Sequence, residues 1–494
     1  MSRPASVSRL SPALVAHLPT GLLIDGHWGP ASGGATFEVE NPATEESLFD
    51  VADARPEDAL RALAAAHRAA PVWRAVSPRE RSELLRAVYS TLVARTDDLA
   101  ALITAESGKP LAEARAEVAY GADFVRWYAE QAVRTDGLVR TAPAGANRQL
   151  VSRRPVGPAL LITPWNFPLA MATRKVAPAL AAGCPVVVKP ARLAPLTTAL
   201  VAEIVRAELV DRGLPAGVVN VIPSSHAADV TEPLLADPRL RKLSFTGSTA
   251  VGRTLLQGAA AQVLRTSMEL GGNAPFVVFA DADLDAAVEG ALVAKLRNTG
   301  QSCVAANRFL VHESVARDFA DRLAHAFADR RVGDGAQEGV QVGPLIGASA
   351  VDDVEELVSA AVDDGAQVLT GGDRPDGRGH FYPPTVLSGV GHDARVVREE
   401  IFGPVAPVVA FGDDDEAIEL ANATEHGLAA YAYTRDLGRA MRVAQEVEAG
   451  MIGINRGLVS DASAPFGGVK HSGLGREGGE AGLEEYLETV YVAL

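Results

Sequence analysis

Short apolar runs alternate with longer amphipathic segments through the middle of the chain. The apolar runs have the length of buried strands and lie at 159–163, 185–189, 218–222 and 243–245. Segments with helical spacing separate them, at 169–182, 196–209 and 227–235. Strands that alternate with helices of this length predict a parallel, doubly wound sheet, because each parallel connection has to cross one face of the sheet.

A second run of this kind begins at Pro275–Phe279 and continues with helices and strands predicted at 283–297, 314–329, 365–369 and 405–410. The change of unit near Glu269 predicts a domain boundary there. Upstream of the first strand, 55–106 and 111–133 have helical periodicity with no strand between them. They predict a layer of helices packed on the sheet.

The composition is that of a globular protein with more than one core. The chain has 494 residues, of which 48% are hydrophobic and 22% charged. A net charge of -16 argues against a nucleic-acid partner, since phosphate neutralisation needs a basic surface. The first 20 residues lack the apolar core of a secretory signal, and no apolar run reaches the roughly 18 residues of a membrane span. We therefore expect a cytoplasmic protein with no membrane partner.

The two cysteines have different surroundings, and neither stands in a metal-ligand spacing, so no metal is expected. Cys184 lies in an apolar run, where a free cysteine is most often a small core residue. Cys303 lies in a polar turn, Gly300–Cys303, between an amphipathic segment and an apolar strand. A thiol in such a turn can reach a substrate, and Cys303 is the predicted nucleophile.

Three polar segments come directly after predicted strands. Asn166 follows the first strand, Lys189 ends the second, and Gly247–Ser248 follow the fourth. Ligands on doubly wound sheets bind beyond the carboxyl ends of the strands, so a cofactor is expected here. From local sequence alone, Asn166 is equally well a turn residue, and Lys189 is expected to be a solvated strand end.

Two glycine motifs differ in their context. Gly473–Gly478 matches GxGxxG but follows a loop, so we reject it as a dinucleotide site. Gly247–Thr254 is one substitution from a phosphate-binding P-loop, with Arg253 in place of the lysine, and it lies between a strand and a helix. Free N–H groups at a helix N-terminus bind the phosphate of any nucleotide, so ATP and a dinucleotide both remain open.

Seven motifs in this order resemble those of the aldehyde dehydrogenase superfamily over nearly the whole chain: Pro164–Pro168, Lys189–Pro190, Phe245–Ser248, Glu269–Gly272, Gly300–Cys303, Glu400–Pro404 and Pro465–Gly468. The succinate-semialdehyde dehydrogenase branch is the most similar, through Met171–Lys175, Leu296–Gln301 and Ser472–Glu477. The resemblance implies an α/β fold, with a Rossmann-like doubly wound cofactor domain, a second α/β catalytic domain and a β-strand oligomerisation arm.

The same resemblance implies the limits of these parts. The NAD(P)-binding domain would comprise 1–137 and 157–268, and the catalytic domain 269–455. The arm would comprise 138–156 and 479–494, and 456–478 would be a loop near the active site. The tail, 484–494, is also predicted from its own sequence to be a strand without a partner. An unpaired edge strand favours pairing with another chain, so we expect a homodimer or homotetramer.

Four residues carry the chemistry that the resemblance implies. The thiolate of Cys303 attacks the aldehyde carbon, and the Asn166 amide with the Cys303 backbone N–H stabilises the oxyanion. Hydride transfer to the nicotinamide leaves a thioester on Cys303, and Glu269 activates the water that hydrolyses it. Partial burial is expected to raise the pKa of Glu269 toward that of a useful base. Lys175 matches a lysine near Asn166 and this glutamate.

The resemblance assigns a larger set of residues to the cofactor: Thr163, Trp165, Lys189, Ala191, Arg192, Thr246, Gly247, Ser248, Gly252, Leu270, Glu400 and Phe402. Glu400 would hold the nicotinamide ribose, although its sequence context alone predicts a surface carboxylate. Arg192 replaces the glutamate that many NAD-preferring relatives use to bind the adenine ribose. Because arginine attracts a 2′-phosphate, we expect NADP to be favoured and NAD to remain usable.

The substrate is predicted to be an aldehyde, most specifically a short semialdehyde with a carboxylate. Arg174, Arg297 and Ser460 match the branch residues around the far end of the substrate, and an arginine fork suits a carboxylate. Aromatic or aliphatic aldehydes are the alternative substrates. Two alternatives from other classes are a non-catalytic nucleotide-binding protein of this fold and an ATP-using enzyme.

Overall fold

The computed structural model describes residue 7 and residues 10–494, so residues 1–6, 8 and 9 of the predicted cofactor domain lie outside it. The N-terminal part contains two short hairpins and a group of helices: α1 Pro12–His17, β1 Leu22–Ile24, β2 His27–Gly29, β3 Thr36–Asn41, β4 Glu46–Ala52, α2 Pro56–Ala75, α3 Pro78–Ala94, α4 Thr96–Ser107 and α5 Leu111–Gln131.

The middle of the chain alternates strands and helices close to the predicted limits: β5 Leu138–Thr141, β6 Arg148–Pro155, β7 Ala159–Ile162, α6 Pro168–Ala182, β8 Val186–Lys189, α7 Leu196–Asp211, β9 Val219–Val221, α8 Ala227–Ala236, β10 Lys242–Thr246, α9 Thr249–Ala260 and β11 Arg265–Glu269. In one hydrophobic core, Leu84, Leu99 and Phe124 of the N-terminal helices pack with Leu161 and Val188. The predicted helical layer on the sheet is confirmed.

The remaining elements form the second α/β unit and the C-terminal segment: β12 Ala274–Val278, α10 Leu284–Leu296, β13 Ala306–His312, α11 Glu313–Ala328, α12 Ala348–Asp363, β14 Gln367–Thr370, β15 Thr385–Ser388, α13 Arg395–Arg398, β16 Val405–Phe411, α14 Asp414–Asn422, β17 His426–Gly427, β18 Ala429–Tyr433, α15 Leu437–Glu446, β19 Met451–Ile454, β20 Val469–Lys470, β21 Gly473–Leu474, α16 Gly479–Glu484 and β22 Leu487–Ala493.

The first sheet has the strand order β2-β1-β9-β8-β7-β10-β11-β21. Its five central strands, β9 to β11 in this order, are parallel, which confirms the predicted doubly wound architecture. From β7 the chain adds β8 and β9 on one side, and it then returns to place β10 on the other side of β7. The change of direction between β7 and β10 opens a crevice at the carboxyl ends of these strands, where such sheets bind ligands.

The second sheet has the order β14-β15-β16-β13-β12-β18-β19, and all its neighbouring strands are parallel except β14 and β15. Glu269 is the last residue of β11 in the first sheet, and the second sheet begins at Ala274 with β12. The short link between them joins the carboxyl edge of the first sheet to the amino edge of the second. Glu269 therefore lies where the two α/β units meet.

The tail strand has a partner in its own chain, so the prediction that it lacks one is wrong. β22 pairs antiparallel with β6 from Leu487 opposite Pro155 to Ala493 opposite Gln149, and β5 pairs with the other edge of β6. The partner is more than 300 residues away in sequence, so local pattern could not reveal it. β22 and β5 remain the edges of this three-stranded sheet. In the described part of the chain, no helix is long and apolar enough to cross a membrane.

Candidate active site

The crevice between β7 and β10 contains a cavity of about 230 Å³. The loop after β7 forms one wall and the turn after β10 another, while residues from the second unit close it. Its lining residues are Pro164, Trp165, Asn166, Met171, Thr246, Gly247, Ser248, Leu270, Gly271, Cys303, Glu400 and Phe402. The structure thus brings together side chains predicted for the nucleophile, the oxyanion donor and the cofactor.

Cys303 lies in a turn between β13 and the irregular segment Arg297–Gly300, in which Asn298 and Thr299 have φ of 54° and 57°. Gly300 has φ of 77°, and a Cβ there would lie 2.2 Å from the Gly403 carbonyl oxygen, so the turn requires glycine. The thiol is half-buried and borders the cavity. Burial raises its pKa to about 12, although Arg174 opposes the rise. The thiol is therefore protonated at neutral pH and has to lose its proton before it can attack.

The Asn166 side chain is bound to the backbone of the turn that carries Cys303. The Asn166 Nδ2 donates a hydrogen bond of 3.1 Å to the Gln301 carbonyl oxygen. This contact fixes the direction of the amide and leaves its second N–H available. Gly272 also packs against this turn, since a Cβ there would lie 2.3 Å from the Cys303 carbonyl oxygen. The geometry suits an oxyanion donor next to the thiol.

Glu269 is only 2% exposed, yet neither of its carboxylate oxygens accepts a hydrogen bond from the described residues. Burial raises the pKa of Glu269 well above its ordinary value, and the charge of Glu477 raises it further. Arg174 and Lys175 act in the opposite direction. A buried carboxyl without a protein partner and with a raised pKa has the properties of a general base.

Lys175 is paired with Glu477, a residue that the sequence reasoning did not single out. Its Nζ lies 2.5 Å from Glu477 Oε1 and 2.9 Å from Ser244 Oγ. The Arg174 Nε lies 2.5 Å from the second Glu477 oxygen. Burial alone would raise the pKa of Glu477, but Lys175 and Arg174 hold it below its usual range. The one sign of Glu477 in the sequence was its place in Ser472–Glu477, one of the motifs that resemble the succinate-semialdehyde dehydrogenase branch.

Glu400 is half-buried and borders the cavity, so the solvated-surface interpretation of its sequence context is wrong. Its Oε1 accepts a hydrogen bond of 3.1 Å from the Gly272 backbone N–H. Burial raises the pKa of Glu400 to about 7. Phe402 packs edge-on against Trp165, with ring centroids 5.5 Å apart. Both rings and the carboxylate border the cavity, where a ribose and a flat ring could be held.

The remaining predicted cofactor residues surround the ends of β8 and β10. Lys189 is buried, its ammonium donates to the Pro190 carbonyl oxygen at 3.3 Å, and burial lowers its pKa to about 8. The solvated interpretation of Lys189 is therefore wrong. Ala191 is half-buried and Arg192 exposed. The hydroxyls of Thr163 and Thr246 are buried without a hydrogen-bond partner among the described residues.

The segment after β10 has the predicted strand-to-helix context. Ser248 is the N-cap of α9, and its Oγ accepts a hydrogen bond of 3.4 Å from the Val251 N–H. Gly252 lies in the first turn of α9 and packs on Leu270. A Cβ at residue 252 would lie 2.4 Å from the Leu270 side chain. Open N–H groups at this helix start and the unpartnered hydroxyls nearby fit a phosphate-bearing cofactor.

The predicted substrate residues converge on a tyrosine that sequence reasoning missed. Burial raises the pKa of Tyr120, while the charges of Arg174 and Arg297 lower it. The buried Tyr120 hydroxyl has no hydrogen-bond partner among the described residues, and Ser460 is half-buried. The Arg297 guanidinium is 5.6 Å from the Tyr120 ring centroid and 4.8 Å from that of Phe167. Tyr120 lies in α5, where its periodicity gave no sign of a role in binding.

Two α/β units, a cysteine at their junction and a crevice suited to a dinucleotide define a cysteine-dependent dehydrogenase. The chain belongs to the aldehyde dehydrogenase family, whose model matches residues 28–492. It is an NAD(P)-dependent aldehyde dehydrogenase that acts on an aldehyde substrate. Fold, enzyme class and resemblance are thus confirmed.

Three known proteins illustrate the similarity. The chain is 57% identical to a succinate-semialdehyde dehydrogenase of Paenarthrobacter nicotinovorans, over 90% of this chain and 98% of the relative. It is 50% identical to a 3-sulfolactaldehyde dehydrogenase of Pseudomonas putida, over 95% and 96%. The crystal structure of an NADP-dependent enzyme of E. coli superposes with a TM-score of 0.95 at 46% identity, covering 98% of this chain and 100% of the other.

Proposed function

We propose that this enzyme oxidises a short semialdehyde with a carboxylate at its far end, such as succinate semialdehyde, and that it favours NADP. The observation that carries the substrate proposal is the Arg297 guanidinium, which lies 5.6 Å from the Tyr120 ring centroid, while the Tyr120 hydroxyl and the Arg174 Nη1 are buried without a hydrogen-bond partner among the described residues. Two cations beside a buried hydroxyl suit an anionic group. The relative from Paenarthrobacter nicotinovorans, named for succinate semialdehyde, supports this substrate.

In the proposed reaction, the Cys303 thiol first releases its proton to solvent, and the resulting thiolate bonds to the aldehyde carbon and forms a thiohemiacetal. The second N–H of the Asn166 amide and the Cys303 backbone N–H stabilise the oxyanion. When bound, the nicotinamide would accept the hydride that leaves the former aldehyde carbon, and a thioester would remain on Cys303. Glu269 then takes a proton from water, the resulting hydroxide attacks the Cys303 thioester, and the carbon–sulfur bond breaks to release the acid.

The cofactor would be held by residues from both units. Glu400 would accept hydrogen bonds from the nicotinamide ribose, with Trp165 and Phe402 beside it. Ser248 and the start of α9 would bind the pyrophosphate, which makes a dinucleotide rather than ATP the proposed ligand of Gly247–Thr254.

Substrate charge is tested with Arg297→Ala. We expect kcat/KM for succinate semialdehyde to fall about 10- to 150-fold through a higher KM, because a charge-assisted contact contributes about 1.5–3 kcal/mol. An uncharged aldehyde of equal length should lose much less. Arg330→Ala is the matched control, since Arg330 is a nearby arginine whose Nε donates to the Ala326 carbonyl oxygen at the end of α11.

Equal losses of kcat/KM for the charged and uncharged aldehydes would contradict a contact between Arg297 and the substrate carboxylate. They would favour aromatic or aliphatic aldehydes as the substrates. 3-Sulfolactaldehyde, assayed in parallel, separates a requirement for a carboxylate from a requirement for any anion. A higher kcat/KM for 3-sulfolactaldehyde than for succinate semialdehyde would replace the proposed substrate.

The NADP preference is tested with Arg192→Glu. Arg192 is exposed and near the end of β8, so it is free to approach a 2′-phosphate. We expect NADP to be favoured by about 10- to 150-fold in the wild type and the order of kcat/KM to reverse in the variant. Arg317→Glu, at an arginine 96% exposed in the side chain, controls for the change of net charge. A wild type that prefers NAD and a variant that changes little would contradict the proposal.

Subunit association and domain limits are further parts of the proposal. The edges of the β5-β6-β22 sheet carry exposed apolar side chains, with Val139 64% and Tyr491 55% exposed, and these support a homodimer or homotetramer joined through the arm. The division at residue 268 is supported by the two separate sheets. The cytoplasmic location stays a prediction.

A further inference from the structure

A buried ion pair outside the residues discussed so far lies next to the active-site loop. Lys109 comes two residues before α5, and Glu117 lies in the second turn of α5. Both side chains are 1% exposed, and the Lys109 ammonium donates a hydrogen bond to the Glu117 carboxylate. Burial of two charges is costly unless further contacts satisfy them. Those contacts lead to Asn166.

Lys109 contacts two consecutive residues of the loop after β7. Its Nζ donates a hydrogen bond of 3.0 Å to the Asn166 backbone carbonyl oxygen. The same ammonium lies 3.9 Å from the centroid of the Phe167 ring, within the range of a cation–π contact. The Lys109 ammonium therefore fixes both the Asn166 backbone and the Phe167 side chain.

Glu117 holds the other end of this loop. Its Oε1 accepts hydrogen bonds from the backbone N–H groups of Leu169 and Ala170, at 2.9 and 3.2 Å. These belong to the first turn of α6, where a carboxylate is favoured by the free N–H groups and the helix dipole. The Lys109–Glu117 pair therefore fixes the residues on both sides of the Asn166–Phe167 bond.

The same helix also holds the segment that carries Cys303. Glu113, one turn before Glu117, accepts a hydrogen bond of 2.7 Å from the Asn298 backbone N–H. The Asn298 Nδ2 donates to the carbonyl oxygens of Asn166 and Gln301, at 2.9 and 3.0 Å. The start of α5 is thus a common support for the amide loop and the thiol turn.

We propose that Lys109, together with Glu117, is a positioning residue that fixes the Asn166 side-chain amide relative to Cys303. This inference rests on the proposed function, because it needs Asn166 as the oxyanion donor. Donors stabilise a developing charge only when they are already in place. A displacement of about 1 Å can cost about 100-fold in rate, so loosening of this loop should be seen in catalysis before it is seen in folding.

The test is Lys109→Met, which keeps the length of the side chain and removes its charge. With NADP and succinate semialdehyde, we expect the first-turnover rate of NADPH formation to fall about 10- to 100-fold, with the KM for NADP unchanged. Alkylation of Cys303 by iodoacetamide forms no oxyanion, so its rate should stay within about twofold of wild type. A merely structural role would change both rates together.

A double-mutant cycle with Asn166→Ala shows whether Lys109 acts through Asn166. If it does, Lys109→Met should add little to the loss caused by Asn166→Ala. Losses that multiply would overturn the proposal. An Asn166→Ala variant that retains wild-type activity would instead overturn the proposed role of Asn166, so the two failures are distinguishable.

Two further variants complete the test. Lys242→Met removes another buried lysine, one that donates to Ser267 and lies over the Tyr486 ring, and it should leave the first-turnover rate unchanged. Glu117→Gln keeps an oxygen for Leu169 and Ala170 but weakens the pair, so it should lower the rate even if Lys109→Met fails to fold. A first-turnover rate within about threefold of wild type in a folded Lys109→Met would overturn the proposal, and the same result in Glu117→Gln would overturn it if Lys109→Met fails to fold.

Discussion

Replacement of Cys303 by alanine is expected to lower aldehyde oxidation by at least about a thousandfold, because the variant has no atom that can form the thiohemiacetal. Cofactor binding and folding should be retained, since the side chain is small and borders a cavity. Absorbance of the reduced nicotinamide measures turnover, and calorimetric titration with NADP measures binding.

Cys184→Ala is the matched control for that result. Cys184 is fully buried, its thiol donates to the Tyr486 carbonyl oxygen at 3.4 Å, and burial raises its pKa to about 11. Its loss should leave turnover unchanged. Substantial oxidation by Cys303→Ala, or a loss in Cys184→Ala as large as that in Cys303→Ala, would contradict the assignment of the nucleophile.

Replacement of Glu269 by glutamine is expected to slow hydrolysis of the thioester about 100- to 10,000-fold, because the amide cannot take a proton from water. NADPH should then form in a single burst, and mass spectrometry should detect the acyl group on Cys303. Glu106→Gln is the control. Glu106 is another buried carboxyl, and burial raises its pKa to about 7. Its carboxylate accepts hydrogen bonds from backbone N–H groups at the start of α7.

The same residue gives the enzyme an expected pH dependence. The pKa of Glu269 is raised, so its acid form persists to higher pH than in an ordinary carboxyl. Hydrolysis should therefore be lost as pH falls through this raised pKa, and the acidic limb of kcat should lie above the usual carboxyl range. Wild-type turnover near its maximum at about pH 4.5, or a burst-free Glu269→Gln variant without an acyl adduct, would argue against Glu269 as the base.

The sequence determined the elements of the fold because local periodicity reports which side chains are buried within one element. The strands β7 to β10 and the helices between them lie close to their predicted limits. The polar turn around Cys303 and the apolar run around Cys184 also distinguished the two thiols correctly by exposure. The parallel, doubly wound arrangement then followed from the alternation, since parallel connections leave few topologies.

Only the tertiary structure decided which charged groups are buried and how they are paired. Glu400 meets the Gly272 N–H across 128 residues, and Lys175 meets Glu477 across 302. Lys109 reaches Asn166 across 57 residues. Periodicity describes one element at a time, and the burial of a charge depends on partners that other elements supply. Cys303, Glu269 and Asn166 were therefore visible in sequence, but their protonation and supporting residues such as Glu477 and Lys109 became clear only in the folded chain.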